Sequence, residues 1–144
     1  LQYDGAHGAL LLTTGDPMPW YFGHTAAPAV AIRGTPCGTN APTLVADAPA
    51  LGAHEGTIEF VGTAPGTLPV FALGWQPATI PIGPCMLLVQ PPFEFAMPGA
   101  STPRVTPSVP LDPALRGLTL HVQGATLAAA GIAFSNALAL TIGD

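Results

Sequence analysis

The chain has 144 residues, of which 49% are hydrophobic and only 8% charged, and its net charge is −5. Its basic residues are three arginines, Arg33, Arg104 and Arg116, with no lysine, which excludes the basic patch that nucleic acid or an anionic membrane requires. The charge-free stretches 60–93 and 117–143 are broken by Pro, Gly, Gln and Thr, so neither reads as the roughly 20-residue apolar run of a membrane-spanning helix.

The length fits a single domain with a substantial core. Eighteen prolines and 17 glycines are too many for long helices and suit short strands joined by turns. Disordered chains are polar and charged, and this one is neither. The composition predicts an all-β fold, a single β-sandwich or jelly roll. So few surface charges leave sheet edges and faces unguarded, which favours an assembled state.

Residues 1–28 read as an N-terminal extended arm and residues 29–144 as the β-sandwich. In the arm, Ala9, Leu10, Leu11, Leu12 and Thr13 form an apolar run of strand length between glycines, the pattern of a strand covered on both faces. Pro17 and Pro19 then argue against a helix. Trp20, Tyr21 and Phe22 read as anchors of an extended linker that tethers the first strand to the body.

Strands are expected at 29–33, 43–46, 57–61, 68–73, 79–82 and 85–90. Pro69 suggests an edge or a strand start, and the near-continuous apolar run CMLLVQ suggests a central strand. Residues 91–97 place Phe93 and Phe95 on one face, and 98–110 read as a Pro/Thr/Ser loop or extended edge. The stretch LDPALRGLTLHVQG organises the remainder. Asp112 is the expected N-cap, Pro113 suits a first helical turn, and Gly117 ends it. Leu118, Leu120 and Val122 then alternate with Thr119, His121 and Gln123, the period of a strand with one buried face. His121 is expected to point outward. Further strands are expected at 125–129, 132–134 and 137–142, with Leu138, Leu140 and Ile142 inward and Ala137, Ala139 and Thr141 keeping the other face small.

Cys37 and Cys85 sit in similar Pro-Cys settings without a CxxC pair, and one isolated pair is too few for a zinc site. They read as a disulfide, with two unrelated buried thiols as the alternative. A disulfide implies an oxidising, extracytoplasmic location. No basic n-region precedes Leu1, so the chain reads as a mature product whose targeting segment has been removed.

No catalytic pattern stands out, and the expectation is that the chain is not an enzyme. None of Ser101, Ser108 and Ser135 sits in a Gly-x-Ser-x-Gly elbow. His54-Glu55 begins like a zinc-protease motif, but Ile58 occupies the second histidine position. The eight acids form no calcium-loop spacing, and no cofactor or metal is expected. The Thr/Ser/Pro segment from Ser101 to Ser108 is a candidate for O-linked sugar.

The segments GTPCGTNAPTLVADAPALG, GTAPGTLPVFALGW, IGPCMLLVQPP, VPLDPALRGLTLHVQG and IAFSNALALTIG follow one another in order. This succession resembles a small β-sandwich domain at the C-terminal ends of large secreted bacterial proteins. That family shows a Gly-x-x-Cys-Gly start, a Pro-Gly-Cys strand and a closing SNAxxLxIG strand. The resemblance spans residues 34–143, and Cys37 and Cys85 fall on the family's two cysteine positions. It implies attachment or scaffolding rather than catalysis. With an apolar strand in front, the chain is also similar to jelly-roll subunits of extracellular bacterial fibrils, in which one protomer's N-terminal strand fills a groove in the next.

That likeness makes Ala9 to Thr13 the expected donor strand and identical subunits the expected partners, with addition of Ala9 to Thr13 to its own domain's sheet as the alternative. Leu118, Leu120, Val122, Leu138, Leu140 and Ile142 are the expected acceptor groove, as late and strongly apolar strands. The rival expectation is a carbohydrate-binding module that stacks sugars on Trp20, Tyr21, Phe22 or Trp75.

Overall fold

The computed structural model describes residues 2–4, 9–12, 20–22, 26–53, 56–90, 94–96 and 104–144. Among them, all regular structure is antiparallel strand apart from one 3-10 turn. The arm carries β1 (Gln2–Asp4), β2 (Ala9–Leu12) and β3 (Trp20–Phe22), which pair as a sheet of their own with β2 in the middle. The body runs through β4 (Ala29–Arg33), β5 (Thr43–Ala46), β6 (Ile58–Val61) and β7 (Leu68–Gly74). Then come β8 (Pro77–Ile82) and β9 (Cys85–Val89), β10 (Glu94–Ala96), β11 (Arg104–Val105), and the long β12 (Thr119–Ala128) and β13 (Gly131–Thr141).

The β12–β13 hairpin is the spine. It lies inside a five-stranded sheet of order β10-β7-β12-β13-β4, flanked by a three-stranded sheet β11-β6-β5 and by the β8–β9 hairpin. Asp112 caps the turn that launches β12: its Oδ1 accepts from the Ala114 N–H at 2.9 Å. The predicted helix start is a single 3-10 turn, Pro113–Leu115. Gly117 leaves it at φ +76°, a conformation that costs a residue with a Cβ but not glycine.

One face of the central sheet meets the small sheet. Leu44, Ile58 and Phe60 pack on Phe71, Val122, Leu138 and Leu140, all buried. Each such side chain contributes roughly 1.5–3 kcal/mol by leaving water. The Phe60 and Phe71 rings meet at 4.5 Å, over Gly124. A Cβ on Gly124 would fall 2.2 Å from the Phe60 ring, so only glycine fits there. Asn136 bonds the edge of β5: its side chain accepts from the Leu44 N–H at 2.8 Å and donates to the Leu44 carbonyl at 3.0 Å. A side-chain amide thus stands where a neighbouring strand would pair.

Several expectations change. The predicted strands at 118–122 and 125–129 are one strand, β12, and those at 132–134 and 137–142 merge into β13. A register shift opposite Gln123 and Ala125 joins the halves, a bulge that displaces the alternation by one residue. Of the two readings of Pro69, the strand start holds and the edge does not: Pro69 is the second residue of β7, an interior strand with β10 outside it. The run CMLLVQ is not a central strand but the inner strand of an outlying hairpin. The Thr119/His121/Gln123 face is covered rather than solvated, with His121 8% and Gln123 2% exposed. Leu118 is the converse, 41% exposed, because it precedes β12 in the turn.

Candidate functional site: an apolar groove on the second face

The second face of the central sheet is where the chain leaves space. Residues that share it follow from the register: Ala72 lies beside Gln123, Val70 beside Ala125, and Leu68 beside Leu127. On the other side Phe134 faces Ala125 and Ile132 faces Leu127. The β8–β9 hairpin covers only part of this surface.

Two devices hold the hairpin down. Gln123, buried in β12, takes up the free edge of β9: its Oε1 accepts from the Leu88 N–H at 2.7 Å. Its Nε2 donates to the Met86 and Ser135 carbonyls, each at 3.1 Å. The Cys37–Cys85 disulfide is the second device. Cys37 is itself fixed to the spine by paired backbone hydrogen bonds with Phe134, each 2.8 Å. The predicted disulfide is therefore present, at one end of the hairpin.

Between hairpin and sheet runs a groove of about 490 Å³. Val70, Ala125, Leu127, Phe134, Ile82 and Leu87 form most of its wall, and the one amide among the lining residues, that of Gln123, is spent on backbone partners. The groove opens where Ile82, Leu127 and Ile132 are exposed, and Leu68 extends the apolar row across β7, β12 and β13. Such a concave, uncharged site suits an apolar occupant and offers no group to orient a polar one.

On the same face sits His121, whose Nδ1 is buried without a hydrogen-bond partner, as is Arg33 Nη1. Burial, and then the neighbouring Arg33 charge, hold the imidazole below its ordinary value. Asp47, exposed at the end of β5, has its carboxyl lowered by the Thr57 hydroxyl and N–H, which donate at 2.7 Å and 3.0 Å. Among the described residues no group of three or more His, Cys, Asp or Glu is placed to hold a metal. Nor is any helix long and apolar enough to cross a membrane.

The structure does not bring the expected groove residues together as an open site. Val122, Leu138 and Leu140 are buried in the chain's own core, with Leu120 packed beside them. Ile142 is buried at the end of β13, and Leu118 is exposed. The open groove lies on the opposite face. Ala9 to Leu12 form β2, paired with β1 and β3; Thr13, His54 and Ser101 lie outside the described residues. Trp20, Tyr21 and Phe22 form β3 rather than a linker.

No family model, curated protein or solved structure matches the chain. The sequence signal for the groove was the alternation Ala125/Leu127 with Val70, hidden because the strands at 118–122 and 125–129 read as separate pieces.

Proposed function

We propose that the chain is a structural subunit of an extracellular, pilus-like filament. The apolar strand around Ala9 to Thr13 of one subunit seats in the groove of the next. The observation that carries this reading is the open, wholly apolar groove on the second face, which the described residues of the body leave unfilled. Donor and acceptor match in chemistry: the segment ALLL is uncharged and so is the groove. Strand addition joins backbone pairing with side-chain pockets. A contact of this head-to-tail kind does not close on itself and generates an open polymer. The disulfide supports an oxidising compartment outside the cytoplasm.

In this assembly β2 exchanges its pairing with β1 and β3 of its own chain for the neighbour's groove. Negative-stain electron microscopy tests this with the full chain, a chain lacking residues 1–16, and Leu127→Asp at the groove mouth. Filaments are expected from the full chain alone. Filaments from the truncated chain, or small uniform particles from all three, would refute the reading.

Trp75 supports a second reading, a secreted carbohydrate-binding module. It lies between β7 and β8 and is 65% exposed, a free face for sugar stacking. Glycan binding abolished by Trp75→Ala, with particle size unchanged, would favour it.

A further inference from the structure

The hydrogen-bond direction of every residue in β4 follows from bonds at the far end of β13. The Ile142 N–H donates to the Leu118 carbonyl at 2.9 Å. In an antiparallel ladder alternate residues face alternate neighbours. Leu140 and Leu138 therefore bond toward β12, whereas Thr141, Ala139 and Ala137 bond toward β4. Their partners are Ala29, Ala31 and Arg33. The N–H and C=O groups of Val30 and Ile32 are left pointing away from the sheet, and among the described residues β4 is its edge.

This edge lacks most of the usual guards. Ala29–Arg33 contains no proline and no bulge, and Arg33 at its end is its only charge. Ile32 is 71% exposed. Natural edges that must stay single carry inward charges, prolines or bulges; β4 has no proline and no bulge inside its span, and its one inward charge, Arg33, sits at its last residue, clear of Val30 and Ile32.

We infer that β4 pairs antiparallel with β4 of a second copy of this chain, about a two-fold axis through Ala31. The register is self-complementary. Val30 faces the partner's Ile32 and Ile32 faces the partner's Val30, which closes four backbone hydrogen bonds from the four outward donors and acceptors. Ala31 faces the partner's Ala31 as a non-hydrogen-bonded pair, where side chains come closest and a methyl group fits. Arg33 falls opposite the partner's Ala29, so no like charges meet. The exposed Ile32 side chain is covered by the partner's Val30 on the same face of a continuous ten-stranded sheet. This inference does not depend on the proposed filament, because the groove and the arm take no part in it.

A cysteine at the axis tests it in the full-length chain. Opposed residues of a non-hydrogen-bonded pair lie about 4.5 Å apart at Cα, within the roughly 4.4–6.8 Å that a disulfide spans. Cys37 and Cys85 are already bonded to each other. Ala31→Cys under mild oxidation is expected to give a covalent dimer on a non-reducing gel, at least about tenfold faster than the exposed control Val45→Cys. The gel counts covalently joined pairs whether or not filaments are present.

Adding Ile32→Pro removes an outward N–H without touching the ladder to β13, since proline is tolerated on the free side of an edge strand. It is expected to suppress the dimer while the thermal melt stays cooperative. Crosslinking no faster than the control, or undiminished by a folded Ile32→Pro chain, would overturn the inference. If Ala31→Cys alters the melt, sedimentation of Ile32→Lys against the parent decides: loss of a dimer step supports the pairing, and identical sedimentation overturns it.

Discussion

Gln123 is the residue through which the spine holds the wall of the groove, and replacing it tests that arrangement directly. Its amide makes three hydrogen bonds, to Leu88 N–H, Met86 C=O and Ser135 C=O. A net hydrogen bond contributes roughly 0.5–1.5 kcal/mol, so three give about 3 kcal/mol. Leu88 is half-buried and Met86 exposed; water reaches those two groups and trims the loss to about 2–3 kcal/mol. Gln123→Met keeps the length and the packing, and should show that loss alone. Gln123→Ala adds a cavity at a buried site, for roughly 1 kcal/mol more. Urea unfolding measures both, with an unchanged m-value showing that the unfolding reaction is the same. Hydrogen exchange supplies the local readout, because the Leu88 N–H donates to Gln123. Its protection should fall by about tenfold or more while that of Val122 tracks global stability. A Gln123→Met chain within about 0.5 kcal/mol of the parent, with Leu88 protection intact, would refute the clamp.

Three further outcomes are expected. Gly124→Ala forces the Phe60 ring off Phe71, since the new Cβ falls 2.2 Å from it; overpacking of this kind costs about 1–3 kcal/mol, read by thermal or urea unfolding. Replacing both Cys37 and Cys85 by Ala opens a loop of sequence separation 48, with a loss of about 4 kcal/mol in the chain-entropy model; a melt unchanged by the double substitution would contradict the disulfide's role. Burial and Arg33 lower the His121 pKa in the folded chain, so the unfolded chain takes up its proton first. Stability is complete above the ordinary histidine value and declines as pH falls from there toward the lowered folded value; urea midpoints across that window should flatten in His121→Gln.

The sequence made the fold class legible because it is written in composition and period. Proline and glycine abundance, alternation at 58–61, and a cap at Asp112 each act locally, and each appears in the structure. What stayed hidden is what local pattern cannot express. The bulge opposite Gln123 and Ala125 shifts the alternation midway along β13, so one long hairpin reads as four short strands. Gln123 and His121 look like the wet side of a half-buried strand, since polarity is the usual mark of solvent. Both are buried, and Gln123 is so because a hairpin from residues 77–89 folds over it, a contact set by chain separation and not by neighbours in sequence.

That covering layer also explains why the open groove is not where the strongest hydrophobicity lies. The most apolar positions of the spine, Val122, Leu138 and Leu140, are the ones a core would claim first, and the small sheet claims them. An acceptor surface must instead be apolar yet left over. On the second face the spine carries Ala125, Ala137 and Ala139, side chains too short to reach a covering layer by themselves. Gln123 bridges the gap at one point and fixes β9 there. Beyond that point the same shortness leaves space, walled by Leu87, Ile82 and Phe134. The groove is therefore a consequence of small residues on the spine beside one long amide. Filling it from within, by Ala125→Leu, should raise the urea midpoint and abolish filament growth together. A stabilised chain that still polymerises would place the donor strand elsewhere.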